Sequence, residues 1–214
     1  MKKVLLITCL ILFFDQAVKI FIKTHFEMGE SLEIFSWFFL SFVENPGMAY
    51  GLHLGPGYTG KIILSCLRLF LSACFFLWIY QHCKKGASNY FIVPMSMIFA
   101  GAIGNLIDST FYGLIFDRGI IFDAQHHRWL GYLGVARFGS PGYSFFMGGA
   151  VVDMLYFPII DDYWPKWIPY FGGERFEFFK PVFNLADAFI SMGGILMIIF
   201  GDKVFKPVDS LKHL

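Results

Sequence analysis

The sequence predicts an all-α polytopic membrane protein with four transmembrane helices, and three observations carry that prediction. Of 214 residues, 57% are hydrophobic and 15% charged, and the mean hydropathy is +0.60, too apolar for an ordinary soluble domain. Four stretches, about 4–22, 62–80, 90–107 and 183–200, stay apolar over the roughly 20 residues that a bilayer core demands. Lysines mark one side: Lys2 and Lys3 precede the first stretch, Lys84 and Lys85 fill the second connection, and Lys203, Lys206 and Lys212 follow the last. Positive residues in short connections stay on the cytoplasmic side. Both termini are therefore expected inside, with segments 24–61 and 108–182 outside.

The first span begins with a basic, apolar run, MKKVLLITCLILFFDQAVK. No small-residue cleavage site follows it, so it is read as retained rather than as a removable leader. Residues 30–55, ESLEIFSWFFLSFVENPGMAYGLHLG, mix aromatic and β-branched residues between Gly and Pro. They predict short strands and turns, a small sheet on the membrane surface. Segment 154–182 sets Trp164, Trp167, Tyr170 and Phe171 among Pro and Asp, a composition suited to the headgroup level.

Several functions are set aside by composition. A formal net charge of +1 offers no basic surplus for nucleic acid. Cys9, Cys66, Cys74 and Cys83 lie in or beside apolar segments without metal spacing and are expected to pack. His126 and His127 lack a third ligand at helical spacing and are expected in a surface turn, so no metal and no cofactor are expected.

Given that topology, the polar residues converge near the outer boundary. The third span runs outward and carries Asn105 and Asp108 at its end; the fourth runs inward and carries Asn184 and Asp187 in its first turns. Each pair is three apart and shares a helix face. Asp15, Gln16 and Lys19 make a polar stripe on the first span, expected deeper, with Asp15 and Lys19 paired at i and i+4. An intramembrane carboxylate costs a few kcal/mol and marks a use. Two such uses fit: acid/base chemistry by aspartates whose pKa values are pushed apart, or proton or ion passage.

The ordered motifs "FFDQAVKIFIK" (Asp15), "ENPGMAYGL" (Asn45, Gly47, Ala49), "GAIGNLID" (Asn105, Asp108), "GGAVVD" (Asp153) and "FNLADAFISMGG" (Asn184, Asp187) span nearly the whole chain. In that order they resemble lipoprotein signal peptidase, the bacterial signal peptidase II family. The resemblance implies one membrane-embedded aspartyl endopeptidase domain over 1–214 with a small extracytoplasmic β-cradle, about 30–55. It implies cleavage of diacylglyceryl-modified prolipoproteins before the lipidated cysteine, in the bacterial inner membrane, by a monomer. It also implies Asp153 and Asp187 as the catalytic pair, with Asn105, Asp108 and Asn184 holding it and Asp15 and Asn45 supporting site and substrate.

Two departures from the family pattern stand out. Ser109 follows the GNxxD aspartate where the family has an arginine, so any ion pair that arginine makes is missing here or supplied by another residue. An insertion, about 109–148, separates GNxxD from VVD, and Asp117 in "FYGLIFD" sits at the spacing the family gives its catalytic aspartate. A loop absorbs length at modest entropic cost, whereas the packing around a catalytic carboxylate must be kept; Asp153 is therefore favoured over Asp117. The insertion is expected to be a lid, a surface arm or a solvated loop. The main alternative function is a small proton-coupled transporter, which would spread its carboxylates across the bilayer depth.

Overall fold

The computed structural model describes residues 1–47, 55–178 and 181–206. Ala49, Tyr50 and the end of the 30–55 segment lie outside the described residues. The helices are α1 (Lys2–His25), α2 (Gly57–Lys84), α3 (Asn89–Ile107) and α5 (Leu185–Phe200). A π turn (Asp108–Tyr112) and the single turn α4 (Gly113–Ile115) prolong α3, giving four spans long and apolar enough to cross a membrane. The helices overrun three of the expected stretches because polar or small residues at their ends, such as Gly57 to Lys61, still keep helical geometry.

Val4, Ile79, Phe91, Met95 and Val204 pack in one cluster. The start of α1, the end of α2, the start of α3 and the end of α5 therefore share one end of the bundle, and successive helices alternate in direction. Lys3 Nζ donates to Asn89 Oδ1 at 3.0 Å at that same end. Phe13, Phe14, Phe70, Leu71, Ile195 and Ile198 are exposed on the outer faces, as expected of surfaces that hydrocarbon covers. Cys9, Cys66 and Cys74 are exposed too, so their expected packing role does not hold; they sit on outward-facing positions of their helices.

α3 and α5 approach closely because two glycines allow it. A methyl at Gly101 would meet the carbonyl of Ala186, and one at Gly104 would lie 2.7 Å from Asp15 Oδ2 and 3.2 Å from the Ala186 methyl. Small residues at helix interfaces let backbones approach in this way.

The expected small sheet is present with a third strand that the sequence reading did not foresee. β1 (Ser31–Phe35) and β2 (Phe38–Asn45) form a hairpin, and β5 (Val151–Tyr156) adds antiparallel to β2. Val43 pairs with Asp153 and Asn45 with Val151, after a bulge between Leu40 and Val43. The other side of β5 bonds to Phe183, two residues before α5: Leu155 N donates to Phe183 O at 2.7 Å, and Phe183 N to Leu155 O at 3.0 Å.

The insertion is not a solvated loop. It holds the hairpin β3 (Ile121–Asp123) and β4 (Arg128–Leu130) and sends Phe116, Ile120 and Ala136 into the interior. Phe116 and Ala136 pack with Ile22, Phe42, Tyr112, Val152 and Met154. A few apolar side chains on a nominal loop are enough to anchor it, while residues 121–135 stay exposed or half-buried. His126 and His127 lie in the turn of that hairpin, where His126 Nδ1 pairs with Asp123 Oδ2 at 2.5 Å. A last hairpin, β6 (Ile160–Tyr163) and β7 (Arg175–Phe178), carries Trp164 with its ring tilted against those of Phe171 and Phe176.

Candidate active site

Asp187 is placed by the start of its own helix. Asn184 is the N-cap of α5: its Oδ1 accepts from Asp187 N at 3.0 Å, and Asp187 Oδ2 accepts from Asn184 N at 3.3 Å. This capping box satisfies two otherwise open amides and leaves Asp187 half-buried. Its Oδ1 accepts from Asn105 Nδ2 at 2.8 Å.

Asp153 comes from the sheet. Because β5 is stitched to Phe183, the residue before Asn184, the strand delivers Asp153 beside the α5 cap. Asn184 Nδ2 donates to Asp153 Oδ1 at 2.6 Å and Asn45 Nδ2 to Asp153 Oδ2 at 3.2 Å. Asp153 is 4% exposed. Burial pushes its carboxyl up to about 7, the neighbouring Asp187 adds to that rise, and the bonds from Asn45 and Asn184 and the Lys19 charge oppose it.

A third layer fixes the amides. Lys19 Nζ reaches Asp15 Oδ2 at 3.1 Å, Asp108 Oδ2 at 2.8 Å and Asn105 Oδ1 at 2.9 Å. Asn105 Oδ1 also accepts from Asn184 Nδ2 at 3.1 Å, so with both acceptor positions filled, its Nδ2 is the end left to face Asp187. Gln16 Nε2 bridges Asp15 Oδ2 at 3.1 Å and Asp108 Oδ1 at 2.8 Å, and Tyr112 O–H donates to Gln16 Oε1 at 3.1 Å. Asp15 Oδ1 accepts from Ala186 N at 2.9 Å, within the first turn of α5. The expectation that Asp15 and Lys19 lie deeper than the other polar groups is therefore corrected: all sit at one level, because the prolongation of α3 beyond Asp108 lowers the site below the helix ends.

Of the predicted residues, Asp15, Asn45, Asn105, Asp108, Asp153, Asn184 and Asp187 are brought together. Asp117 is held elsewhere: its backbone and Oδ1 pair with the backbone of Arg137, and Arg118 Nε stands 3.6 Å from its Oδ2.

The sequence reading missed two cations on α2. Lys61 Nζ donates to Pro46 O at 3.0 Å and Arg68 Nη2 to Gly47 O at 3.1 Å. Seven residues apart, they share a helix face. Gly47 has φ of +99° and would bring a Cβ to 3.2 Å from Arg68 Nη1, so only glycine fits there without strain. The one available signal was a lone arginine in the apolar run LSCLRLFLSA.

The arrangement offers two adjacent carboxyls, one buried and held near the protonated form, each oriented by amides that a buried ion cluster fixes. A family model described as signal peptidase (SPase) II matches residues 7–201. Proteins named lipoprotein signal peptidase in two strains of Porphyromonas gingivalis are 41% identical over 199 residues, 92% of this chain and 82% of theirs. One in Amoebophilus asiaticus is 32% identical over 189 residues, 86% of this chain and 71% of its own length. Two solved bacterial membrane enzymes obtained by the in meso method share the fold, with TM-scores of 0.54 and 0.53 at 24% and 25% identity, over 93% of this chain and 87% and 92% of theirs. With most of its length matched by the family model and by relatives of this similarity, the chain belongs to the signal peptidase II family.

Proposed function

We propose that this protein removes the signal peptides of lipoproteins by an aspartic mechanism in which Asp153 and Asp187 are the catalytic pair. The observation that carries the reading is the shared amide: Asn184 serves Asp153 through Nδ2 and caps the Asp187 turn through Oδ1. Asp117, tied to the insertion backbone, is the weaker candidate. The transporter reading is not favoured, since the buried carboxyls converge at one level instead of forming a path.

In the reaction, Asp187 as carboxylate takes a proton from a water held between the pair, and the water oxygen bonds to the scissile carbonyl carbon. Asp153, protonated because it is buried beside Asp187, donates to the carbonyl oxygen as it gains charge. Collapse of the tetrahedral diol breaks the C–N bond: the amine leaves with the proton that Asp187 had taken, and one diol hydroxyl returns its proton to Asp153 as the carboxylic acid forms.

The whole chain acts as one membrane-embedded domain in the bacterial inner membrane, as a monomer. Both termini are cytoplasmic, and the three-stranded sheet and the insertion lie outside. The lysines at one end of the bundle support this orientation, as does the exposed aromatic tip of the first hairpin, Phe35 and Trp37. The substrate is a diacylglyceryl-modified prolipoprotein cut before its lipidated cysteine, which places the scissile bond at the level of Asp187. Incubating purified protein with a lipidated prolipoprotein and with its unlipidated precursor tests this reading. Wild type is expected to cut only the lipidated form, and Asp187→Asn neither; cleavage by Asp187→Asn at the wild-type rate overturns it.

A further inference from the structure

Arg68, a half-buried cation near the aspartates, has no task in the proposed cleavage. Arg68 spends Nη2 on the Gly47 carbonyl, while its Nη1 is buried with no hydrogen-bond partner among the described residues. A buried donor left unmade costs about 1–3 kcal/mol, more for a charged group. A free guanidinium edge in a dry wall therefore implies an acceptor that arrives later.

Its place fits that implication. Arg68 holds the Gly47 carbonyl, Gly47 N donates to Asn45 Oδ1 at 2.8 Å, and Asn45 Nδ2 donates to Asp153 Oδ2 at 3.2 Å, so two residues of one loop link Arg68 to the aspartates. The carboxylates that act on Arg68 most strongly are Asp187, then Asp153, then Asp108.

The charges facing the pair come from every packed element: Asp15 and Lys19 from α1, Lys61 and Arg68 from α2, Asp108 from the π turn, Asp153 from β5 and Asp187 from α5. Lys19 is shared with Asp15 and Asp108, and Arg68 adds a second cation whose charge reaches both members of the pair. Ser109, one residue after Asp108, leaves that position without a cation.

Building on the proposed Asp153 and Asp187 pair, we infer that Arg68 is a positioning residue for peptide cleavage. Its charge offsets that of the ionised aspartate, and its open Nη1 receives a backbone carbonyl oxygen of the bound signal peptide.

The test is the pH dependence of kcat/KM, with kcat and KM separated, for wild type, Arg68→Gln, Arg68→Lys and Asp187→Asn acting on a diacylglyceryl-modified prolipoprotein, each variant checked by its melting temperature. Arg68→Gln is expected to lose at least tenfold in kcat/KM and to move both limbs of the profile up by about one pH unit, since a nearby cation favours the ionised forms. Arg68→Lys keeps the charge and loses the fork, so its limbs stay in place while KM rises severalfold. Unmoved limbs in Arg68→Gln reduce Arg68 to a brace for the Gly47 loop and overturn the inference. If Arg68→Gln does not fold, Arg68→Lys decides alone, and a wild-type KM or a displaced limb overturns it. Full activity in Asp187→Asn instead removes the underlying reading of the pair.

Discussion

Two buried ionic clusters lie along one face of α1 and end in opposite ways. Asp15, Lys19 and Lys23 follow one another at four-residue steps on that face. Lys23 pairs with Glu44, whose carboxylate also accepts from Tyr132 O–H at 2.9 Å and Ile120 N at 2.8 Å. The rings of Phe116 and Tyr143 lie 5.1 and 5.0 Å from the Lys23 ammonium. Both oxygens of Glu44 are thus used, and Tyr132, Ile120, Phe116 and Tyr143 all belong to the insertion. The Lys19 cluster begins the same way but passes its bonds outward through Asn105 and Asn184 to Asp153 and Asp187. One cluster closes on itself and anchors the insertion; the other stays open at the aspartate edge, where a substrate can take up the remaining capacity.

The comparison breaks most readily at its two lysines. Lys19→Met strands Asp15 and Asp108 beside each other and releases Asn105; a hundredfold or greater loss of cleavage is expected, with destabilisation of about 3–5 kcal/mol, the typical penalty for breaking a buried pair. Lys23→Met should show a similar loss of stability, because Glu44 remains buried, but cleavage per folded molecule within a few-fold of wild type. Thermal melts and cleavage rates on the same preparations separate the two, and equal activity losses would erase the distinction between open and closed.

A smaller effect is expected at the helix contact beneath the open cluster. Gly104→Ala places a methyl 2.7 Å from Asp15 Oδ2 and against Ala186, so α5 must shift. Cleavage should fall about tenfold, on the scale that displacement of a catalytic group by a fraction of an ångström costs, with a loss of about 1–3 kcal/mol from overpacking.

The mildest probe is pH. The Asp153 carboxyl lies at about 7, raised from the model-peptide value of 3.8 by burial and by Asp187. Between those values the folded chain keeps a proton that the unfolded chain has lost, so stability falls as pH rises from about 4 to 7 and then levels off. Asp153→Asn should remove that slope. Cleavage should decline above pH 7, as Asp153 loses the proton it donates.

Much of this was readable in the sequence, and the residues show why. Asn184 and Asp187 announce a helix start at their spacing, and Gly101 and Gly104 beside Asn105 mark where α5 crosses α3. Topology alone brought those groups to one level. The junction of Asp153 to the site was legible only through its motif, since the pairing of β5 with β2 spans over a hundred residues and leaves no local trace. Arg68 was passed over because a single cation in an apolar run carries no periodic signal. The burial of the insertion was hidden because Phe116, Ile120 and Ala136 are scattered among glycines and charges, with no helical or strand period.

The central claim is that Asp153, and not Asp117, partners Asp187. Single-turnover cleavage of a lipidated prolipoprotein by Asp153→Asn, Asp187→Asn and Asp117→Asn, measured side by side on folded protein, tests it most directly. Losses of at least a thousandfold are predicted for the first two and less than threefold for Asp117→Asn; activity retained in Asp153→Asn and lost in Asp117→Asn would contradict the account.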